Sequence, residues 1–519
     1  MSFLQHLLQK VMVSFLKLFF KKRDMKIINK SFIIIACSLF VALNNISCKK
    51  QLDINKNPSI PALEQGTPAV VFPAAVLATV GKVGGDLALV GGIWSQFFTQ
   101  AALAQQYVNI ESYNLPPTDQ FVNNSYDVLF TQGLQDYNFV IDQAKTSGDW
   151  NYYLLGTVMN AYTAEVLVDL YDQMPYSQAF EGASNLNPKF DSGYSIYTSL
   201  LNSIDTALSE NFAASTITDP GSQDLVFGGN MANWIAFANT LKLKMYLRMV
   251  NAYPGVASAG IASLYNGNPT FLTVDASVTN FTNTPQRDNP LFEQNIRTNN
   301  TANNLKASTT FVSWLKANND PRIVYFFGSV SPTSINQGDY ANINAAYSAA
   351  PTFAESPTDP VEFLSAPESY FLQAEADLRY FGGLKTASLY NQGVLAAFKQ
   401  VGLDGSSFIA PRGAYAFPTN GTMDQKIQAI IVQKWASCAY GCHGIESFFE
   451  QNRTGYPLRS AVYSTNPNYI PGQLVTGPNS SLPSGQYPKR LVYPYDETSR
   501  NINAPRTIVP EITPVWWAR

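Results

Sequence analysis

Apolar residues recur every three or four positions through much of the first two-thirds of the chain. The stretch 152–170 shows this well, with Leu155, Val158, Met159 and Tyr162 on one helical face. Such spacing is typical of a helix that packs one side against a core. It predicts helices over 91–106, 126–145, 152–170, 192–208 and 231–250.

A pair of helices around a glycine turn is the clearest unit further along the chain. Helical spacing covers 368–380 and 386–401, and Gly382-Gly383 separates the two stretches. Small residues on both stretches would let paired helices approach closely, as in tetratricopeptide hairpins. A last helix is predicted over 423–436. The pattern therefore predicts a mainly α fold, and this pair looks like a tetratricopeptide hairpin, although no strict 34-residue period is visible along the chain.

Two stretches lack sustained periodicity, namely 254–360 and the part of the chain after residue 455. Both are rich in Asn, Thr, Pro, Gly and Tyr. Long irregular segments in a compact domain are usually functional or disordered. Because these two contain many aromatic residues, we expect them to be ordered loops.

The N-terminal region has the layout of a bacterial lipoprotein signal. Lys26 and Lys30 precede an apolar run over 31–43, and Cys48 follows a few residues later. The run is shorter than the ~20 apolar residues that a transmembrane helix needs. We therefore predict a signal region at 1–47 and lipid attachment at Cys48.

The expected mature chain begins at that cysteine. Cys37 is the alternative lipidation site, but it lies inside the apolar run. Translation is expected to start at Met25, which would give a signal of ordinary length. Residues 48–60 read as a polar tether, and no linker or charge run divides the rest. We predict that 48–519 is a single domain.

Charge and composition narrow the possible partners. Residues 48–519 carry 27 basic and 36 acidic side chains, which disfavours nucleic acid as a partner. Charged residues make up only 14% of the chain, whereas aromatic residues reach 13%. A weakly charged surface rich in Tyr and Asn suits neutral, hydroxyl-rich ligands such as sugars. A secreted protein with a large aromatic core would have the same composition.

Five segments in a fixed order carry a resemblance to a known family. The first two are the polar stretch 52–58 and the Asn-Asp-Pro-Arg turn at 319–322. The others are 368–376, then 433–457 with its Gln-Lys-Trp and Arg-Thr-Gly-Tyr-Pro runs, and 488–517. Together they resemble the SusD/RagB family of outer-membrane lipoproteins, particularly its SusD-like branch. The resemblance covers essentially the whole expected mature chain.

The resemblance implies a mostly helical, SusD-like fold with a loop-rich ligand-binding face. It implies a lipid-anchored protein of the outer membrane that faces the cell exterior. Its partner would be a SusC-type TonB-dependent barrel, to which it delivers a captured nutrient, most often an oligosaccharide. The alternative is a peptide-capturing or protein-interaction subunit of the same kind of complex. No reaction is implied.

Cys438, Cys442 and His443 form the most distinctive group of side chains. The spacing has one residue more than the Cys-x-x-Cys-His of a c-type haem site, and a zinc site would need a fourth ligand. A local disulfide suits an oxidising exported setting, because residues four apart on a helix have Cα atoms about 6 Å apart. The sequence therefore predicts a Cys438–Cys442 disulfide, with free buried thiols as the alternative. Neither a metal nor a cofactor is expected.

Paired carboxylates are the candidates for catalysis. Glu165 with Asp169, and Glu375 with Asp377, could supply the two carboxyl groups of a glycosidase. They lie within predicted amphipathic helices, where solvated or capping roles are commoner. No Gly-x-Ser-x-Gly motif, phosphate loop or dinucleotide fingerprint occurs, and His443 is the only histidine of the expected mature chain. We predict that the protein is not an enzyme.

Sugar sites combine aromatic faces with polar side chains that bind hydroxyl groups. Loop-borne residues of these two kinds are the candidates for ligand binding, although ordinary packing is the alternative for each aromatic ring. They are Tyr107, Asn109, Tyr113, Trp314, Tyr340, Asn342 and Tyr347. The family resemblance does not identify them, because binding residues vary across the family. Trp516 and Trp517 are interpreted as packing at the chain end.

Overall fold

Helices make up most of the regular structure in the computed structural model, which describes residues 66–519. The helices of the first half are α1 Pro68–Gly81, π1 Lys82–Asp86, α2 Leu87–Trp94, α3 Val108–Glu111, α4 Gln120–Val128, π2 Leu129–Leu134, α5 Gln135–Ser147, α6 Trp150–Tyr171, α7 Gly193–Leu208, α8 Met231–Arg248 and α9 Pro254–Asn266. The later helices are α10 Pro290–Phe292, π3 Glu293–Arg297, α11 Thr309–Ala317, α12 Arg322–Phe327, α13 Ala345–Ser348, α14 Ala366–Tyr380, α15 Thr386–Gln400, α16 Ser406–Ile409, α17 Met423–Ser437, α18 Gly444–Thr454 and α19 Tyr495–Arg500. Short 3₁₀ turns occur at Gly182–Ser184, Phe212–Ala214, Gly221–Gln223 and Trp516–Ala518. The predicted mainly α fold is confirmed.

The N-terminal predictions lie outside the described residues. They are the signal region 1–47, the lipid-bearing Cys48, the tether at 48–60 and the start at Met25. The single domain over 48–519 also stays a prediction. Within the described part, residues 67–519 form one compact unit.

Among residues 66–519, six short strands form three antiparallel pairs. β1 Phe98–Gln100 pairs with β5 Leu305–Ala307. β2 Gln173–Pro175 pairs with β3 Phe190–Ser192, and β4 Ala276–Val278 pairs with β6 Val361–Leu364. Each pair joins segments that are distant in the sequence or flank a loop, so the strands fix loops onto the helical core.

The helix α6 lies in the middle of the core, and all its residues after Trp150 are buried. The carboxylate of Asp149 caps it by accepting a hydrogen bond from the backbone N–H of Tyr152 at 3.3 Å. It packs against α5, α7 and α8.

The helix predicted over 152–170 is confirmed. Those over 126–145, 192–208, 231–250, 368–380, 386–401 and 423–436 are confirmed as well.

The paired helices α14 and α15 form around the expected glycine turn. Gly382 and Gly383 have φ values of 79° and 76°, in the left-handed region that glycine enters without strain. A Cβ on Gly393 of α15 would lie 2.5 Å from the ring of Phe371 on α14. Glycine at that position therefore lets the two helices pack closely.

The helix predicted over 91–106 is wrong after Trp94. The helix α2 ends at Trp94, and Gln96 has a φ of 61°. The Gln96 side chain is held by Thr310, whose hydroxyl donates to Oε1 at 2.6 Å, and by Val475, whose carbonyl accepts from Nε2 at 2.6 Å. These distant partners turn the chain, and Phe98–Gln100 continues as a strand.

The expectation of irregular structure over 254–360 is also partly wrong. The stretch contains α9, a helix of 13 residues, and α11, a helix of nine. Small residues dilute the apolar pattern of α9, in which only Ala257, Ile261 and Leu264 are buried. A weakly amphipathic helix of this kind gives little periodicity to detect.

The continuous helical run from Pro68 to Trp94 is long and apolar enough to cross a membrane by length and composition, and it is the one such run among residues 66–519. The most apolar window of the run is 78% buried inside the protein. A buried core helix accounts for this composition.

A network of buried charges joins the central helices. On α8, Lys244 Nζ lies 2.8 Å from Glu165 Oε2, and Arg248 Nε lies 3.0 Å from Asp169 Oδ2, both acids belonging to α6. Arg248 also reaches α18, where its Nη2 lies 2.8 Å from Glu446 Oε2. All five side chains are almost fully buried. Buried charges of this kind are stable only when they are paired.

The network continues into α14 and α17. Lys434 Nζ lies 3.1 Å from Glu368 and 2.9 Å from Glu446. Arg453 Nη2 lies 2.7 Å from Glu375. Burial alone would raise the pKa of Glu446, but Arg248, Lys244 and Lys434 lower it to about 2. We call this set the ion network; it consists of Glu165, Asp169, Lys244, Arg248, Glu368, Glu375, Lys434, Glu446, Glu450 and Arg453.

Candidate functional site

Three loops meet on one face of the molecule, at 101–113, 336–350 and 460–482. The backbone N–H of Leu103 donates to the carbonyl of Tyr340 at 3.0 Å. The hydroxyl of Tyr463 donates to the carbonyl of Gln337 at 2.8 Å. Since each loop is bonded to another, the three form one continuous surface, which we call the loop face.

Further hydrogen bonds tie the third loop to the other two. The Nδ2 of Asn479 donates to the carbonyl of Gly338 at 2.9 Å. The backbone N–H of Ser481 donates to the carbonyl of Ser112 at 2.8 Å. The loop face is thus fixed by hydrogen bonds that all end on backbone carbonyls, and the side chains outside these bonds remain available to a ligand.

A single buried carboxylate supports the loop face from below. Glu111 is 3% exposed and accepts hydrogen bonds from Thr99 Oγ1 at 2.8 Å and from the backbone N–H of Gln100 at 3.1 Å. It also accepts from Gln337 Nε2 at 2.8 Å and the backbone N–H of Gly338 at 2.6 Å. Glu111 therefore joins the first loop to the second.

These four donors are all neutral. Burial raises the pKa of Glu111 to about 7, because the hydrogen bonds offset only part of the desolvation of its charge. The support of the loop face consequently titrates near neutral pH.

Three of the predicted aromatic candidates belong to the core. The Tyr107 hydroxyl donates to Asn295 Oδ1 at 3.0 Å, and the Tyr113 ring packs edge-on against Trp94 with 6.0 Å between ring centroids. Trp314 stacks on another core ring, and all three side chains are at most 8% exposed. Because a buried ring cannot stack on a sugar, assigning Tyr107, Tyr113 and Trp314 to an open ligand platform is wrong for this conformation.

Tyr347 has a supporting position within the second loop. It is 6% exposed, and its hydroxyl donates to Asp339 at 2.6 Å and accepts from Asn336 Nδ2 at 2.8 Å. These bonds shape the loop that carries Tyr340. Tyr347 therefore holds the loop face in place and presents little surface of its own.

The remaining candidates lie on the loop face. Tyr340 is partly exposed, and Asn109 and Asn342 are exposed. Two aliphatic neighbours were not anticipated, namely Leu103 at 59% exposure and Ile343 at 65%. In the sequence, Leu103 and Ile343 each stand alone among small and polar residues, and this was the signal that could have identified them. The surface thus combines a partly exposed ring, two aliphatic side chains and two amides.

The predicted disulfide is not formed, because Cys438 and Cys442 are free thiols. The helix α17 ends at Ser437, and Gly441 and Cys442 have φ values of 67° and 59°. The Cα spacing of a continuous helix therefore does not apply. Cys442 Sγ instead lies 3.5 Å from Nδ2 of Asn289. The alternative of free thiols describes the structure.

The carboxylate pairs considered for catalysis have structural partners. Glu165, Asp169 and Glu375 belong to the ion network. Asp377 Oδ2 accepts hydrogen bonds from Thr386 Oγ1 at 2.8 Å and from the backbone N–H of Lys385 at 2.9 Å. These carboxylates hold helices together. No group of three or more His, Cys, Asp or Glu side chains among residues 66–519 is arranged to hold a metal ion.

Comparisons with known proteins agree on the fold. The family model for SusD-like proteins, described as starch-binding and associating with the outer membrane, matches residues 88–494. A SusD homologue from Bacteroides uniformis is similar with a TM-score of 0.70 and 21% identity, over 86% of this chain and 99% of its own. A chitin-binding SusD homologue from Flavobacterium johnsoniae has a TM-score of 0.68 and 20% identity, over 86% and 98%. No curated protein matches the chain.

Proposed function

The chain belongs to the SusD-like family of outer-membrane proteins, and from that membership we propose that it captures a glycan at the loop face. The proposal extends to delivery of the bound oligosaccharide to a SusC-type TonB-dependent barrel. Starch appears in the description of the family, and chitin in the names of two similar structures. An oligosaccharide is therefore the ligand class that these relationships favour.

The composition of the loop face is the observation that carries the proposal. Its three loops contain only two charged residues, Glu111 and Asp339, and no Lys or Arg. Glu111 is buried beneath the surface. A surface whose one partly exposed charge is Asp339, with the partly exposed Tyr340 ring beside amide groups, suits the apolar face and the hydroxyl groups of a pyranose.

Anchoring would make weak capture sufficient. A lipid on Cys48 would hold the protein at the outer membrane, and the polar segment 48–60 would let it move over its barrel. Tethering raises the local concentration of bound ligand at the transporter without any new contact. In this proposal the protein binds and delivers and catalyses no reaction.

Calorimetry with maltohexaose and chitohexaose tests capture at the loop face. Changing Tyr340→Ala should weaken binding of the preferred oligosaccharide by ~1–3 kcal/mol, the usual contribution of an aromatic stacking partner. The matched control is Tyr495→Ala, which removes a tyrosine that is 56% exposed on α19. This control should bind like the unmodified protein.

Equal loss in the two variants, or no loss in either, would contradict binding at the loop face. The peptide-capturing alternative would be favoured if neither oligosaccharide bound, a peptide pool did bind, and Tyr340→Ala weakened the binding of that pool. Delivery is tested separately, by co-purification of the lipidated chain with a TonB-dependent barrel from outer membranes.

A further inference from the structure

A second concave site lies away from the loop face, as a cleft of about 700 Å³. One wall comes from α1 and π1, and the other comes from the segment 278–294, which runs from β4 into π3. A volume of this size falls within the usual range for small-molecule sites. Two π-helical segments, a feature frequent at functional sites, line the cleft.

The first wall contains a buried carboxylate whose two oxygens both have partners. Asp86 is 6% exposed, and its Oδ2 lies 2.9 Å from Lys82 Nζ. Its Oδ1 accepts a hydrogen bond from Gln294 Nε2 of π3 at 2.8 Å. This contact joins the two walls.

The second wall contains a buried carboxylate that is only half satisfied. Asp288 is 5% exposed, and its Oδ2 accepts a hydrogen bond from Arg297 Nε at 2.5 Å. Its Oδ1 is buried and has no donor. A hydrogen bond with Asp288 is the main reason that the pKa of Glu293 is raised. An ionised Glu293 can only accept hydrogen bonds, so it offers no proton to Asp288.

The remaining lining shows which ligand fits. The lining acids Asp86, Asp288 and Glu293 are offset by Lys82 and Arg287 of the lining. Arg297, which does not line the cleft, pairs with Asp288 and Glu293, so the charges roughly balance. Apolar surface is contributed by Leu77, which is 51% exposed, and by Phe281 and Leu225. Balanced charge, apolar walls and a carboxylate oxygen without a donor favour a neutral ligand that has both an apolar face and hydroxyl groups.

We propose that this cleft is a second saccharide site, in which a ligand hydroxyl donates to Asp288 Oδ1 and a sugar ring lies against Leu77 and Phe281. The choice of a saccharide rests on the proposed glycan-binding function, whereas the cleft itself shares none of its lining with the loop face. A site of this size would hold one or two sugar units of a chain or a free short saccharide.

Gly81 allows the cleft to be filled without disturbing its walls. It lines the cleft with helical backbone angles (φ −57°, ψ −30°), and a Cβ placed there would meet no atom within 4 Å. Gly255 on α9 offers a matched control, because it is also helical and equally open but does not line the cleft. Gly81→Trp and Gly255→Trp thus add the same side chain at two comparable positions.

The experiment measures binding of glucose, N-acetylglucosamine, maltohexaose and chitohexaose to residues 49–519 by calorimetry and saturation-transfer NMR. The variants are Gly81→Trp, Gly255→Trp, Tyr340→Ala and the double variant Gly81→Trp with Tyr340→Ala. We expect Tyr340→Ala to retain a residual binding event that the double variant loses. Asp288→Asn should weaken this residual event about tenfold, the effect of losing a hydrogen bond to a charged group.

The outcomes separate the two proposals. Loss with Gly81→Trp but not with Tyr340→Ala would support the cleft and contradict the loop face. Loss with Tyr340→Ala and identical binding by the two tryptophan variants would overturn the cleft alone. Absence of binding by every probe would overturn the saccharide assignment of both sites. Melting temperatures equal to that of the unmodified chain show that each variant is folded.

Discussion

The ion network and the loop face both depend on buried carboxylates, but they stabilise them in opposite ways. In the network Glu446 lies between the cations of Lys434 and Arg248, and its pKa is lowered to about 2. Under the loop face Glu111 has only neutral donors, and its pKa is raised to about 7. Glu446 therefore keeps its charge at ordinary pH, whereas the support of the candidate site is close to losing its charge. Within the network Glu165 is an exception, because burial outweighs the nearby cations and raises its pKa to about 8.

This difference indicates where mutations should act. The network joins helices that contribute to the core, so an unpaired charge there threatens the whole fold. Glu111 joins two loops and faces no cation, so it should make stability depend on pH near neutrality. The two regions can be distinguished by comparing the loss of stability when a cation is removed with the pH dependence of stability.

The largest effect is expected when the network loses a cation. Arg248→Met leaves Asp169, Glu446 and Glu450 without their shared partner, and we expect unfolding free energy to fall by about 3–5 kcal/mol. Urea unfolding followed by circular dichroism measures the change. Arg500→Met is the control, because Arg500 is 79% exposed in its pair with Asp496.

The control should alter stability by less than about 1 kcal/mol, as exposed ion pairs do. A similar small loss in Arg248→Met would show that the network does not hold the helices together, and the contrast between the two regions would fail. Replacing a buried cation together with its acidic partners by well-packed apolar residues can retain stability. Such a multiple variant would therefore not test the ion network.

A smaller effect is expected from the titration of Glu111. The folded protein holds this proton up to a pKa of about 7, while the unfolded chain releases it near the ordinary glutamate pKa of 4.5. Between these values the folded state binds more protons, so this group lowers stability as pH rises from 4.5 to 7 and adds no further change above 7. The full contribution is about 3 kcal/mol.

Glu111→Gln should remove this pH-dependent contribution to the unfolding free energy. The difference in unfolding free energy between the variant and the unmodified protein should therefore vary with pH from 4.5 to 7. Glu446 shows the opposite sign, since its lowered pKa gives stability that is present above 4.5 and is lost as pH falls toward 2. A difference in unfolding free energy between Glu111→Gln and the unmodified protein that stays constant from pH 4.5 to 7 would contradict a raised pKa for Glu111.

The same contrast explains what could be predicted from the sequence. Glu368, Lys434, Glu446 and Arg453 lie in the segments that carry the family resemblance, and all four belong to the ion network. The resemblance therefore identified the scaffold. Since a paired buried charge constrains its neighbours, such segments keep a recognisable pattern whatever the ligand is.

The candidate site gave no comparable signal. Tyr107 and Tyr340 both follow polar residues in loops, yet one is buried and the other lies on the surface. The difference arises from Asn295, which accepts the Tyr107 hydrogen bond from 188 residues away along the chain. Local sequence holds no information about such a partner, so the aromatic candidates could not be separated.

The smallest effect is expected from the cysteines, where the comparison predicts no change. A five-residue disulfide loop would stabilise the fold by about 2 kcal/mol. Since Cys438 and Cys442 are free beside a network that already ties α17 to its neighbours, reducing agent should not shift the melting temperature of residues 49–519. Thiol titration of the unfolded, unreduced chain should find both thiols, and Cys442→Ser should melt at the same temperature with or without reductant. If reductant lowered the melting temperature of the unmodified protein but not that of Cys442→Ser, a disulfide would stabilise the fold in addition to the ion network.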